Sequence, residues 1–194
     1  MLPPSPRLPL PVHRLDRDTS GCLLLARNPK AHKRFAAAFE AGVVEKTYLA
    51  VLEGIPSESQ GVIDMALGKT SSAQEGWRIV PDPKGKRAVT HWQILAEAGG
   101  RCLVEFKPET GRTHQIRVHM AYAGHGLVGD QTYGGKRRLA PKLYGEEAAE
   151  LGMGFARQAL HAATLGFVHP VTGEMLEFSS PLPADMAELI AALR

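Results

Sequence analysis

Apolar and polar positions along the chain change period several times, and the changes mark out the elements. The unbroken apolar run Cys22–Ala26, entered through the turn formers Thr19, Ser20 and Gly21, predicts a buried strand over 21–27. Asn28-Pro29 then reads as an N-cap and first helical position. Ala31, Phe35, Ala38 and Phe39 recur on one helical face, and Gly42 is a natural stop. Lys30, Lys33 and Arg34 lie mostly off that face. Residues 43–53 alternate and are rich in β-formers, predicting a strand that Gly54 and Pro56 end. A short apolar strand over 61–67 and a polar loop over 70–76 follow. Trp77–Val80 and Arg87–Ala96 are expected to form a hairpin around Pro81-Asp82-Pro83-Lys84-Gly85.

In Arg101–Lys107 the alternation places Cys102, Val104 and Phe106 on one face. Thr113 is expected to cap a helix running to about Ala123, closed by Gly124. Residues 127–135 form a turn-rich connection, and 146–152 suit a short helix. Leu160–Val168 and Met175–Ser179 pair about the 169–173 turn, and Pro183–Leu193 closes the chain as an amphipathic helix. Strands and helices mix without regular βαβ alternation, which points to an α+β fold.

Composition narrows the class. At 194 residues the chain suits a single domain over 13–194, preceded by a proline-rich, extended segment over 1–12 with little ladder hydrogen bonding. Lys+Arg 23 against Asp+Glu 20 leaves a net charge of only +3, so where the charges cluster matters more than the sum. Cys22 and Cys102 sit in apolar strand contexts without a CxxC partner, which favours two buried free thiols in a reducing compartment. No apolar stretch suits a bilayer span and no cleavable signal pattern is present, giving the expectation of a cytoplasmic protein without a membrane partner.

The chemistry concentrates in His13-Arg14-Leu15-Asp16-Arg17-Asp18-Thr19-Ser20-Gly21. A carboxylate on a loop rim above a hydrophobic strand can serve as nucleophile, general base or metal ligand, or it can be a surface ion pair. Arg14 and Arg17 flank Asp16 and supply charge for phosphate contacts. Tyr48, in Lys46-Thr47-Tyr48-Leu49-Ala50-Val51, offers a stacking ring and a hydroxyl, or ordinary strand core. In Gly111-Arg112-Thr113-His114-Gln115-Ile116-Arg117-Val118-His119, His114 and Arg117 share a helical face. His114 and His119 read as a structural pair or, less readily, as metal ligands; no HExxH spacing is present. Lys84, Lys86 and Arg87 place positive charge at the expected hairpin tip, which is either simply solvated or a mobile finger that grips phosphates. The strongest basic cluster is Lys136-Arg137-Arg138 with Lys142.

These three blocks resemble motifs of the RluA-type pseudouridine synthases, RNA uridine isomerases of ribosomal and transfer RNA. Leu127-Val128-Gly129-Asp130-x-x-Tyr133-Gly134, Leu160-His161-Ala162 and Lys86-x-Ala88-x-Thr90 agree in order, and their small residues suggest backbone and packing roles. The resemblance implies a mainly antiparallel mixed sheet with flanking helices and a central RNA-binding cleft. It implies Asp16 as nucleophile, Tyr48 against the target base and Arg117 paired with Asp16. It further implies that Arg14 fills the space left by an everted uridine. His13, Arg112, His114 and the basic segments 84–87 and 136–142 would hold RNA. No cofactor or metal is required, because one bond is exchanged for another. RNA is the expected partner of a monomer.

Family members usually carry a further strand with a Lys-Pro-x-Gly pattern before the aspartate motif, and often an S4-type RNA-binding domain. Only twelve residues precede His13, so either the first strand is dispensed with or the given start is internal to a longer chain. A missing strand would leave a sheet edge uncovered, and a missing S4 domain would weaken the grip on RNA, more so at high salt. Two other functions suit the same residues: a non-catalytic RNA-binding module, and a hydrolase built on Asp16 and the histidines.

Overall fold

The computed structural model describes residues 8–72, 76–134, 150 and 154–191. Its strands are β1 (Leu10–Pro11), β2 (Ser20–Gly21), β3 (Leu25–Ala26), β4 (Glu45–Glu53), β5 (Gln60–Asp64), β6 (Leu67–Ser72), β7 (Gly76–Pro81), β8 (Val89–Ala98), β9 (Arg101–Pro108), β10 (Leu160–Val168) and β11 (Met175–Ser179). Its helices are α1 (Pro29–Glu40), α2 (Gln115–Tyr122) and α3 (Ala184–Ala191). The main sheet runs β11-β10-β4-β9-β8-β5, antiparallel throughout, and β2 adds a short parallel pairing to β10. The α+β expectation therefore holds.

Register explains how the sheet presents the site. Ala162, Tyr48, Phe106, Trp92 and Gly61 are successive cross-strand partners on β10, β4, β9, β8 and β5, so their side chains line up in one row. A Cβ at Gly61 would come within 2.9 Å of the Trp92 ring, so only glycine lets that ring lie over β5. Phe106 is fully buried, and Tyr48 and Trp92 pack against the same cluster, which includes Ala50, Leu52, Val104, Ile116 and Met120. Burying each large apolar side chain is worth about 1.5–3 kcal/mol, so this row and α2 form the rigid floor of the molecule.

Local signals placed α1, β4, β9, β10 and β11 where the sequence predicts them. Asn28 caps α1 by accepting from the Ala31 amide at 2.8 Å, and Gly42 turns the chain with φ +72°. The predicted face of α1 packs Phe35, Ala38 and Phe39 on Val44, Leu165 and Phe167.

Several expectations change. The strand expected over 61–67 divides between β5, which pairs with β8, and β6, which pairs with β7. The run 21–27 is not one strand: Ser20–Gly21 pairs with β10, whereas Leu25–Ala26 pairs with Leu10–Pro11. The chain changes partner in between, leaving Leu23 and Leu25 half exposed and Cys22 only partly buried. The proline-rich start accordingly contributes a two-residue ladder, β1.

The turn at Asp82–Gly85 forms, with the Gly85 amide donating to the Asp82 carbonyl at 2.8 Å, but it does not close a hairpin. β7 folds back on β6, while β8 joins β5 and β9. Much of the predicted 70–76 loop is therefore strand, and Lys84, Lys86 and Arg87 sit on a connection between two sheets. Lys86 is tied to Leu67 by reciprocal backbone bonds. At α2 the cap position falls to His114 rather than Thr113, in the left-handed region with φ 56°. The expected helix over 146–152 lies almost wholly outside the described residues.

Candidate active site

Asp16 sits on an irregular loop between His13 and Thr19. The Thr19 amide donates to the Asp16 carbonyl at 3.0 Å, and Asp18 adopts φ 68°. Side chains from the far end of the chain fasten this loop. Gln158, buried, donates to the Arg17 carbonyl and the Thr19 hydroxyl, and Arg157 donates to the Asp18 carbonyl. Arg157 is itself held by both oxygens of Asp185 at the start of α3. Below the loop, buried His161 donates through Nε2 to the Ser180 carbonyl at 3.0 Å, and its Nδ1 shares a hydrogen bond with the Ser20 hydroxyl at 2.9 Å.

Across from the loop, α2 delivers Arg117. Its Nη1 lies 3.3 Å from Oδ2 of Asp16, and its Nε and Nη2 make a bidentate pair with Asp130 at 2.7 and 2.9 Å. The Asp130 side chain has no exposed surface, whereas Asp16 keeps 15% of its side chain open. Asp130 also accepts from the Thr132 and Tyr133 amides, and the Tyr133 ring lies against the guanidinium. Burial would raise the Asp130 carboxyl, but Arg117 and those amides outweigh it and hold it below its ordinary value. Burial likewise opposes the charge on Arg117, and its two acidic partners outweigh that. The guanidinium is thus rooted on Asp130 and offers its remaining edge to Asp16.

Tyr48 closes the third side. Burial, then the negative charge of Asp16, pushes its hydroxyl up to about 12, so it stays protonated at neutral pH. Arg14, Asp16, Lys46, Tyr48, Arg112 and His114 line an open cleft of about 580 Å³, and a wider groove leads from it past His13, Arg14, Phe39, Lys46, Arg87 and Arg112. The cleft is open to solvent and carries both cationic and aromatic side chains, the chemistry an everted base and its phosphate would meet. The groove carries Arg14, Lys46, Arg87 and Arg112 against Glu40 and Glu109, an excess of positive charge suited to phosphates.

The structure thus brings Asp16, Tyr48, Arg117, Arg14, Arg112 and His114 together, with Arg87 and His13 along the groove. His13 is already engaged: its Nε2 accepts from the Leu24 amide at 3.0 Å, its ring stacks on Phe39 at 4.4 Å, and burial lowers its pKa. Lys84 and Lys86 line neither the cleft nor the groove, and Lys136, Arg137 and Arg138 lie outside the described residues. His119 bonds the Met65 carbonyl and Thr90 from a buried position, the structural role. Among the described residues no group of His, Cys, Asp or Glu is placed to hold a metal ion.

Sequence reasoning missed four contributors. Asp130 lies in a block read as packing; its signal is an acid one glycine beyond the apolar pair Leu127-Val128. Gln115 uses its whole amide, donating to Val89 and Thr90 and accepting from Thr110 and the Arg112 amide, which fixes the 109–112 rim. Arg157 and Gln158 carry no local signal, because their partners lie about 140 residues away.

An aspartate–arginine pair and a tyrosine at a basic cleft on this sheet define a class, and comparisons agree with it. The RNA pseudouridylate synthase family model matches residues 3–122, and the chain belongs to that family. It is 50% identical over 188 residues to an uncharacterized RNA pseudouridine synthase of Zymomonas mobilis, covering 94% of this chain and 77% of that one. It is 44% identical over 183 residues to ribosomal large subunit pseudouridine synthase D of Vibrio cholerae, again covering 94% of this chain but 55% of the relative. Among solved structures, human RNA Pseudouridylate Synthase Domain Containing 1 superposes with a TM-score of 0.72 at 30% identity, covering 95% of this chain and 80% of that one. The chain thus spans little more than half the length of several curated relatives.

Proposed function

We propose that the protein converts a uridine of structured RNA to pseudouridine, with Asp16 as nucleophile. The carrying observation is the Asp16 carboxylate, partly open at the cleft and 3.3 Å from an arginine anchored elsewhere. The groove cations hold the backbone, the target base everts into the cleft, and Arg14 at the mouth fills the gap it leaves. Asp16 assists rupture of the N1–C1′ bond by attack on the sugar or the base, or by promoting a glycal. The uracil turns, C5 bonds to C1′, any bond formed to Asp16 breaks and frees the carboxylate, the hydrogen on C5 leaves as a proton and N1 gains a proton. One glycosidic bond replaces another, so the atoms balance without an external reagent. Tyr48 supplies a flat face and a protonated hydroxyl beside the base. Curated relatives named for the ribosomal large subunit make ribosomal RNA the first substrate to test.

The test is tritium release from RNA carrying 5-tritiated uridine. Wild-type protein is expected to release tritium, and Asp16→Asn to release none while binding the same RNA. Release by Asp16→Asn removes the carboxylate from the mechanism. RNA binding without release by the wild type favours a non-catalytic module.

A further inference from the structure

The cleft wall does not end at His114. The Trp77 ring stacks on the His114 ring with centroids 5.4 Å apart and planes 24° apart, and the ammonium of Lys69 lies 5.2 Å from the Trp77 ring. Lys69 is diagonal to Trp77 across the β6–β7 ladder, where Ser71 faces Trp77 and Lys69 faces Ile79. Ile79, on the same face two residues on, is buried against Leu67, Ala88 and Val118, but Trp77 is 50% exposed and belongs to none of the core clusters.

The support beneath this ring is nevertheless rigid. Tyr133 accepts from the Ile79 amide at 3.0 Å and bonds His114 Nδ1 at 2.8 Å, and Arg78 donates to the Thr132 carbonyl at 2.6 Å. An aromatic ring half open to water, braced by its neighbours and paired with a cation beside the basic cleft, has the chemistry of a single-stranded nucleic-acid platform.

We propose that Trp77 and Lys69 form a second RNA subsite, in which a base flanking the everted uridine stacks on Trp77 as the Lys69 ammonium moves from over the ring to that nucleotide's phosphate. The proposal rests on the RNA reading of the cleft and extends it by one nucleotide position.

The test measures Kd for fluorescein-labelled oligouridylate, and for a stem-loop RNA with a uridine in its loop, across a salt series. Stacking on one base predicts that Trp77→Ala raises Kd roughly 5- to 150-fold with the salt slope unchanged. Trp77→Phe is expected to recover most of the loss. Lys69→Gln is expected to flatten the slope of log K against log salt by about 0.7–0.9, the share of one phosphate. Trp emission present in wild type and absent in Trp77→Phe should be quenched by oligouridylate. An unchanged Kd in Trp77→Ala, or no quenching, overturns the platform while tritium release leaves the cleft reading standing. Equal loss in Trp77→Ala and Trp77→Phe together with a lower unfolding midpoint makes Trp77 a packing residue and also overturns it. Wild-type protein that binds neither RNA overturns both readings.

Discussion

Arg117 meets two carboxylates on different terms, and the difference separates stability from chemistry. Its pair with Asp130 is buried and bidentate; its contact with Asp16 is single and partly open to solvent. Asp130→Asn leaves a buried guanidinium half paired, which costs about 3–5 kcal/mol, readable by chemical denaturation. The sign with pH follows from its depressed carboxyl. The stability from the pair is complete above the ordinary value of 3.8 and is lost as pH falls through the lower folded value, so wild type and variant converge in acid. Tyr48 acts differently. Because its hydroxyl titrates near 12, turnover should show no limb from it at lower pH, and Tyr48→Phe should slow tritium release while leaving a parallel pH–rate profile. A wild-type limb missing from the variant would make the phenol a titrating catalyst.

At the scale of elements, Gly21 carries the seam between the aspartate loop and the sheet. With φ +114° and its would-be Cβ 2.1 Å from the Ala162 carbonyl oxygen, alanine there cannot keep the β2–β10 pairing. Gly21→Ala should abolish activity and lower the unfolding midpoint, while circular dichroism retains most of the strand signal. The same elements show what a sequence discloses. α1, β9 and the β10–β11 pair were readable because cap, period and turn are local properties. The β6–β7 pairing was not: Pro81–Gly85 announces a turn, but which strand each flank joins is settled by long-range packing. Asp16, Tyr48 and Arg117 stand out as candidates through motifs, whereas Asp130 becomes important only once burial gives its charge a required partner. Gln158 and Arg157 could not be read at all, since their task depends on the chain returning across the whole molecule.

Across the whole molecule, the strands differ greatly in how they are secured. β4, β8 and β9 share long ladders and a fully buried aromatic at Phe106, while β2 contributes two residues to β10. Asp16 therefore stands on backbone far less anchored than β4, β8 and β9, tethered by a short parallel rung and a few side-chain clasps. Segments of that kind open well below the energy of global unfolding. Amide deuterium uptake at Thr19 and Cys22 should outrun uptake across β4 and β9, and catalytic half-life on warming should expire several degrees before the sheet melts. A heat-treated sample that scatters and folds normally would then be catalytically silent, and cooling alone would restore it.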